Sequence, residues 1–404
     1  MTMQLTRFLT WLPLCLILML TGCAQQDINL FGPGRKISSN NVPPSVAKGN
    51  RGPLAGAVAP TADGTMKVGL LLPLSGTHAA LGQAMLNAAQ MAVFDSGAKN
   101  LELLPRDTGD AGPAAVAAMR DAATVGARLM IGPVFAPQVS AVRTAVTGTG
   151  LNVLALSNDA TLAMPGVYIV GFTPAAQVVR VVSHAMAHGA VRFAALIPLG
   201  PYGDIVAAAL NDTLARHHGV GARIGRYASN GIDLNQVMQE VASERGQLDA
   251  LLIADGGANL QRIAKALPHY RLNDPRIRLL GTGLWDEGNL GRRVPQLVGG
   301  WYAAPALKDR TEFYTRYQEI YGAPPPRLAT LSYDATALAG VLAQRGGRAD
   351  AGTLTNPAGF VGMDGIFRFS ADGVAERGLA VHQVQDDGVL ALDPAPQTFV
   401  REGN

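Results

Sequence analysis

The chain has 404 residues, of which 48% are hydrophobic, with 33 lysines and arginines against 30 aspartates and glutamates. Because single hydrophobic cores stop growing near ~250 to 300 residues, this length predicts more than one lobe. The nearly balanced charge, with no dense basic stripe, argues against a nucleic-acid-binding protein.

Residues 1–22 have the features of a secretory signal peptide. Arg7 supplies a positive charge, and the apolar run from Phe8 to Leu20 falls short of the ~20 residues that a membrane-spanning helix needs. The pattern Leu20-Thr21-Gly22-Cys23 resembles the bacterial lipobox, which implies that Cys23 is acylated and becomes the mature N-terminus. The alternatives are an ordinary signal peptide and a membrane helix that ends in cysteine. Cys15 would leave with the signal, so the mature chain would contain no disulfide.

The segment from Ala24 to about Met66 is rich in Gly, Pro, Ser and Asn and has no apolar periodicity. Such a composition does not bury enough surface to offset its ordering entropy, so we interpret residues 23–66 as a lipid-anchored flexible linker. Fully stretched, it would reach ~140 Å. A structured arm along the globular part is the alternative. In the bacterial sorting rule an aspartate after the lipidated cysteine retains a lipoprotein in the inner membrane, so Ala24 indicates the outer membrane.

The globular part is expected to begin at "MKVGLLLPLSG" and to extend over residues 67–404. Val68 to Leu72 is a continuous apolar run typical of a strand that is buried on both faces of a parallel sheet. A loop and a helix with apolar residues at helical spacing follow it. The same alternation of strand and helix then repeats, with a fresh start after "VYIVGFTP". The pattern predicts an α/β protein with two doubly wound, Rossmann-like lobes around a cleft.

Ligands of open α/β sheets bind outside the carboxyl ends of the strands, and several polar or aromatic residues follow the predicted strands there. The cleft candidates are Ser75, Asp107, Phe135, Ser157, Asn158, Tyr202, Asp255, Trp285 and Asp286. Alternative roles exist for several of them. Ser75 could only close a turn, Asp107 could cap the following helix instead of orienting a ligand amine, and Asp255 could belong to a plain strand-to-helix turn. Trp285 and Asp286 could line the cleft mouth or form a partner face.

A family resemblance covers residues 67 to about 393. The blocks "KVGLLLPLSG", "RDTGDAGPAAVAAM", "MIGPVFAPQVSAV", "ALSND", "PYGDIVAAAL", "LSYDATALAGVLA" and "FVGMDGIFRFSADGVAERGLAVHQV" look like the type I periplasmic-binding-protein fold of the leucine-binding kind. The resemblance implies three hinge crossings and a ligand-stacking role for Tyr202. It places the first lobe at about 67–171 and 301–350, and the second at about 172–300 and 351–404, with "GIFRFS" in the second.

Two subfamilies compete within this resemblance. Branched-chain amino-acid receptors place adjacent hydroxyls after the third strand to hold the ligand carboxylate, whereas this chain has Phe135, Ala136 and Pro137 there. The chain looks closer to the outer-membrane lipoproteins called penicillin-binding protein activators. That resemblance implies a periplasmic regulator of a bifunctional penicillin-binding protein. The alternative is a substrate-binding lipoprotein that docks on an ABC permease and binds a branched-chain amino acid or another small solute in its cleft.

Catalytic and metal-binding motifs are missing from the sequence. No HExxH, GxSxG, GxxxxGK[ST] or CxxC pattern occurs, so we expect no enzyme activity, no cofactor and no metal. His184 and His188 are spaced four apart on a predicted helix, as a metal pair would be, and His217 and His218 end another helix. Because no carboxylate completes the pair at motif spacing, we interpret these histidines as structural or solvated.

The lipobox yields the first prediction. If Cys23 is acylated, then Cys23→Ser will accumulate as an unprocessed precursor that incorporates no labelled fatty acid, because serine has no thiol to receive the lipid. Cys15→Ser is the matched control and should be processed and labelled normally. Undiminished labelling of Cys23→Ser would exclude the lipoprotein interpretation.

Overall fold

A computed structural model describes residues 64–217 and 221–399. The predicted signal peptide, Cys23 and almost all of the predicted linker lie outside the described residues. The first strand begins at Met66, where the sequence predicted that the globular part begins. Within the described residues, no helix combines the length and apolarity that crossing a membrane requires.

The first lobe is built on a parallel sheet of five strands. The strands are β1 (Met66–Leu72), β2 (Leu101–Asp107), β3 (Leu129–Ile131), β4 (Asn152–Ala155) and β5 (Val167–Ile169), and the helices between them are α1 (Ala79–Ser96), α2 (Gly112–Thr124) and α3 (Ala136–Val146). The strand order is β2-β1-β3-β4-β5. Val68 and Leu70 face one apolar core and Leu71 faces another, so β1 is buried on both faces as its apolar run predicted.

The second lobe repeats this arrangement. Its elements are α4 (Pro174–Ala187), β6 (Phe193–Pro198), α5 (Pro201–Arg216), β7 (Arg223–Tyr227), α6 (Leu234–Ala242), β8 (Ala250–Ile253), α7 (Gly257–Ala266), β9 (Arg278–Gly281), α8 (Leu290–Arg293) and β10 (Trp301–Ala304). The parallel part has the order β7-β6-β8-β9-β10, the same order as in the first sheet. Helices α4 and α5 cover one face, and α6 and α7 cover the other. The fold is therefore the predicted pair of doubly wound lobes.

The last part of the chain is divided between the lobes. It contains α9 (Lys308–Tyr321), α10 (Ala329–Gln344), α11 (Ala351–Leu354), β11 (Phe360–Gly362), β12 (Gly365–Phe369), β13 (Ala375–Arg377), β14 (Ala380–Val384) and β15 (Val389–Asp393). Helices α9 and α10 pack on α1, and β14 and β15 extend the second sheet next to β10 in antiparallel fashion. The chain thus crosses between the lobes near residues 170–173, 305–307 and 378–379, three times as the resemblance implied.

The structure corrects two of the predicted lobe boundaries. Strand β10 pairs with β9 and β14, so residues 301–304 belong to the second lobe and not to the first. Strands β11, β12 and β13 form a small sheet whose Phe367 and Phe369 enter the core of the first lobe, so "GIFRFS" lies in the first lobe and not in the second. The placement of "GIFRFS" came from the family resemblance, and the sequence of a strand does not say which of two cores receives its apolar face.

One glycine in each lobe lets the helix that follows the lobe's first strand approach the end of that strand. A Cβ on Gly82 of α1 would lie 2.0 Å from the carbonyl oxygen of Pro73, and a Cβ on Gly203 of α5 would lie 1.8 Å from that of Pro198. Both contacts are far below van der Waals distance and involve backbone, which has little room to shift. Close packing of helix on loop therefore depends on these two glycines, and it fixes where the loops after β1 and β6 lie.

We expect Gly82→Ala to lower the free energy of unfolding by about 1 to 3 kcal/mol, because the methyl group overlaps a backbone carbonyl and forces the helix away from the loop. Gly246→Ala is the matched control, since nothing lies within 4 Å of its Cβ position, and it should change the free energy by less than about 0.5 kcal/mol. Urea unfolding followed by circular dichroism measures both. Equal midpoints for the two variants would contradict the close-packing argument.

Candidate functional site

The strand order of each sheet defines where a ligand would be expected. In both sheets the first strand of the lobe lies between the second and the third. The second strand is therefore added on one side of the first and all later parallel strands on the other side, so the strand order reverses between β1 and β3 and between β6 and β8. Crevices at such reversal points, outside the carboxyl ends of the strands, are the usual ligand sites of open α/β sheets. Ser75, Asp107, Phe135, Ser157 and Asn158 follow the first-lobe strands there, and Tyr202, Asp255, Trp285 and Asp286 follow second-lobe strands.

The Asp107 carboxylate holds the loop after β1 in place. Its Oδ1 atom accepts hydrogen bonds from the backbone amides of Leu74 at 2.9 Å, Ser75 at 3.1 Å and Gly109 at 2.8 Å. Burial raises the pKa of Asp107, but hydrogen bonds from Ser75 and from the backbone amides outweigh it and bring the pKa below its ordinary value. Helix α2 has Ala111 at its N-cap, so Asp107 does not cap that helix. Its carboxylate organises two cleft loops.

Two further polar side chains of the first lobe are also engaged locally. Asp110 accepts hydrogen bonds from the amide of Thr77 at 3.0 Å and from its hydroxyl at 3.2 Å, which ties the loops after β1 and β2 together a second time. The Ser157 hydroxyl is buried and accepts from the amide of Asp159 at 3.2 Å, whereas Asn158 is exposed. The hydroxyl of Ser157 therefore closes its own turn.

The loop after β3 carries the aromatic ring of Phe135, where branched-chain amino-acid receptors carry adjacent hydroxyls according to the family resemblance. Phe135 precedes α3, and its ring lies 4.4 Å from the ring of His78, centroid to centroid. Pro137 in the first turn of α3 has no N–H, and the amide of Gln138 donates to the carbonyl of Phe135 at 3.0 Å. Two of the first three helix positions therefore offer no free donor to a carboxylate.

The second-lobe candidates are joined in pairs across neighbouring loops. The Tyr202 hydroxyl lies 2.9 Å from the hydroxyl of Thr282, and the Tyr227 hydroxyl donates to Asp255 at 2.6 Å. Burial raises the pKa of Tyr202 to about 12, and it also raises the pKa of Tyr227, which Asp255 raises further. Both phenols are therefore neutral at physiological pH. Tyr202 of α5 and Tyr227 of β7 hydrogen-bond to the loops that follow β9 and β8.

Trp285 and Asp286 are both buried, so neither side chain lines the cleft mouth or forms a partner face, the two roles that the sequence left open. Trp285 is fully buried in the second core, where its ring would overlap any Cβ on Gly281. Only 7% of the Asp286 side chain is exposed, and its carboxylate pairs with Arg310 and with Arg327, at 3.4 Å from Nε of the latter. Asp286 comes from the second lobe and both arginines come from the segments around α9 and α10 of the first. Asp286 therefore forms ion pairs that connect the two lobes.

A family comparison decides the classification of this fold. The family model described as "Periplasmic binding protein" matches residues 65–389. The chain belongs to this family. Membership implies a periplasmic or other extracytoplasmic location and a binding function.

Solved structures with this fold include both transport receptors and a regulator. A branched chain amino acid ABC transporter periplasmic ligand-binding protein from Burkholderia xenovorans LB400 is 17% identical with a TM-score of 0.69, and the match covers 82% of this chain and 96% of that one. A solute binding protein of an ABC transporter from Rhodopseudomonas palustris BisB5, in complex with 3,4-dihydroxy benzoic acid, is 18% identical with a TM-score of 0.62, covering 84% and 99%. The C-domain of LpoA (YraM) from Haemophilus influenzae, a regulator of PBP1A, is 20% identical with a TM-score of 0.64, covering 81% and 99%.

One curated protein is also similar. The uncharacterized protein RP748 of Rickettsia prowazekii (strain Madrid E) is 19% identical over 229 residues, which are 55% of this chain. The match spans 61% of the length of that relative. At these identities the solved structures establish the shared fold alone. What this chain binds must be argued from its own loops.

The histidines of the second lobe have local partners. His184 Nδ1 lies 3.2 Å from an Asp393 oxygen, and His188 Nδ1 lies 2.8 Å from the carbonyl of His184. In the described part of the chain, no three His, Cys, Asp or Glu side chains are grouped so that they could hold a metal ion. His217 lies 3.5 Å from the Ser183 hydroxyl, and His218 lies outside the described residues.

A cavity of about 310 Å³ lies in the first lobe, away from the cleft loops. It is bounded by α9, α10 and β11, and its lining residues are Glu312, Phe313, Arg316, Tyr333, Ala337, Val361, Gly362 and Met363. Arg316 pairs with Asp95 at 2.7 Å, and Tyr333 donates to the same carboxylate at 2.7 Å, so these two lining side chains already have a partner. This cavity is separate from the predicted site.

Sequence reasoning missed two residues that shape the cleft. Tyr227 and Arg310 make the contacts described above, and neither belongs to a motif or to a predicted cleft loop. The position of Tyr227 at the end of β7 was a usable signal, since it lies at a carboxyl strand end. Arg310 gave no signal, because its partner Asp286 lies 24 residues away on the other lobe.

We expect Asp107→Ala to lower the free energy of unfolding by about 1 kcal/mol, as the loss of a capping carboxylate does. Because the pKa of Asp107 is lower in the folded chain than in the unfolded chain, its contribution is present above about pH 4 and is lost as the pH falls through the folded pKa. The difference between wild type and variant should therefore shrink in acid. Unfolding midpoints between pH 7 and pH 3 measure it.

Asp121→Ala is the control, because Asp121 forms only an exposed pair with Arg106. Hydrogen exchange at residues 74–77 should accelerate in Asp107→Ala and stay unchanged in Asp121→Ala. Unaltered exchange in both would show that Asp107 does not hold the loop.

Proposed function

We propose that the chain is an outer-membrane lipoprotein whose periplasmic-binding-protein domain binds a bifunctional penicillin-binding protein and stimulates its synthesis of peptidoglycan. The role is one of binding and regulation, without catalysis. The alternative, a solute receptor for an ABC permease, requires a cleft that holds a ligand, and the arrangement of the cleft loops argues against a carboxylate ligand.

The observation that carries the proposal is the start of α3. A helix N-terminus binds a carboxylate through its free backbone amides. Here Pro137 lacks an amide hydrogen and the amide of Gln138 is bonded to Phe135. The rings of Phe135 and His78 lie together at the same loop. An amino acid that entered the cleft would lose its hydration there without gaining the donors that its carboxylate needs.

The remaining polar groups of the cleft support the same conclusion. Asp107, Asp110 and Ser157 accept hydrogen bonds from neighbouring loop atoms. Tyr202 pairs with Thr282, and Tyr227 pairs with Asp255. A receptor that recognises a polar solute orients a few donors and acceptors into its pocket. In this chain the corresponding groups form hydrogen bonds within the protein itself.

The predicted anchor suits a wall-associated regulator better than a transport receptor. Ala24 indicates the outer membrane, whereas a receptor must dock repeatedly on an inner-membrane permease. The composition of residues 24–66 predicts a linker, which would raise the effective concentration of the domain near a target across the peptidoglycan without adding contacts. The fold is shared with a regulator of PBP1A, the LpoA C-domain, which supports the proposal.

We expect the full chain in detergent to bind a purified bifunctional penicillin-binding protein and to raise its glycan-polymerising or cross-linking rate in a reconstituted synthesis assay. The matched control is a solute receptor of the same fold at equal concentration, which should leave the rate unchanged. Fractionation of cell membranes should recover the full chain with the outer membrane.

A ligand assay distinguishes the receptor alternative. A ligand present at ~100 times its dissociation constant adds about 2.7 kcal/mol of stability, which appears as a shift in melting temperature. We expect no shift with millimolar leucine, isoleucine or valine. Inner-membrane residence, no binding to any such synthase and a shift with one of these amino acids would together reverse the proposal in favour of the receptor.

A further inference from the structure

A group of buried ion pairs lies where the two lobes meet. The Asp286 carboxylate, from the loop after β9 in the second lobe, accepts from Arg310 Nη2 at 3.0 Å and pairs with Arg327. Arg310 is in the first turn of α9, and Phe313 of that helix is buried against α1 in the first lobe. The two arginines therefore connect a second-lobe loop to first-lobe helices.

The same group continues to the first and third crossings. Arg327 Nη2 pairs with Asp364 at 2.9 Å, and its guanidinium lies 4.3 Å from the ring centre of Phe172 in the first crossing. Arg377, at the start of the third crossing, donates to the carbonyl of Val170 at 2.8 and 3.0 Å and lies 4.7 Å from the same ring. We call Asp286, Arg310, Arg327, Asp334, Asp364 and Arg377 the hinge cluster.

The hinge cluster is balanced in charge and largely removed from water. It contains three arginines and three aspartates, and Arg377 pairs with Asp334 at 3.5 Å. The side chains of Asp334 and Asp364 are fully buried, and only Arg327 is more than a tenth exposed, at 27%. Separating a buried pair leaves a charge without a partner in a medium of low polarity, which is strongly unfavourable.

We propose that the hinge cluster braces the two lobes at one fixed angle, so that the domain acts as a rigid body and does not open and close around a ligand. Hinge bending changes the backbone of the crossing segments, and each of the three crossings lies next to a member of the cluster. Any rotation that moves the loop after β9 away from α9 must also separate Asp286 from both arginines. This inference concerns the mechanics of the domain and does not depend on the identity of the partner.

Distance measurement between the lobes tests the brace. The full chain, with Cys15→Ser and Cys23→Ser, is spin-labelled at Arg120→Cys on α2 and Gln239→Cys on α6, which are exposed positions of the two lobes. We expect one narrow distribution of label-to-label distances, unchanged by leucine or by 3,4-dihydroxybenzoate. Asp286→Asn keeps the size of the side chain and removes its charge, and it should shift the distribution to two populations.

Two further variants complete the experiment. Asp95→Asn breaks an ion pair with Arg316 that lies wholly within the first lobe, and it should leave the distances unchanged. Asp286→Leu combined with Arg310→Leu removes the interlobe pair without leaving a buried charge, which keeps the chain folded, and it should give the same second population as Asp286→Asn. A wild-type chain that already shows two populations overturns the proposal. So does a folded double variant with the wild-type distribution.

Discussion

Burial of six charged side chains at the junction of the lobes is the constraint on which the two-lobed arrangement depends. An isolated buried charge is far more unfavourable than a paired one, so each member of the hinge cluster requires its partners to stay in place. Burial and the neighbouring Asp364 raise the pKa of Asp334, and burial lowers the pKa of Arg377, despite its carboxylate neighbours. The partners come from loops on both lobes and from segments next to all three crossings. The positions of these segments are therefore set together.

A fixed lobe angle changes what the cleft can contribute to binding. In a hinged receptor, part of the affinity for a ligand is consumed by closing the lobes and ordering the loops. Here Asp107 and Asp110 already hold the loops after β1 and β2, and Tyr202 bonds across to the loop after β9. Such loops present a preformed surface. A protein partner that recognises this surface loses little conformational entropy from the domain itself.

Local apolar patterns predicted the strands and helices. Contacts between residues far apart in the chain explain the lobe assignments and side-chain roles that these patterns did not predict. The apolar run Val68 to Leu72 is a strand buried on both faces, and the repeated alternation did produce two doubly wound lobes. Alternation alone did not assign β10 or β12 to a lobe, because strand pairing is decided by partners far along the chain. Among the site residues, Trp285 packs in the core because Gly281 and Gly300 leave room for its ring, a contact that no local spacing reveals. Asp286 acquires its role only through Arg310 and Arg327.

The cleft of this periplasmic binding protein shows how one fold can serve unrelated functions. Apolar periodicity predicted the two doubly wound lobes, and solved structures with identities of 20% or less share the fold. What a protein of this fold binds depends on its loops, which apolar periodicity does not constrain. Pro137 removes one amide from the start of α3, and Gln138 donates another to Phe135, yet neither change disturbs the buried strand β3 beneath them. The start of α3 can therefore lack these free amides while the core beneath it stays intact.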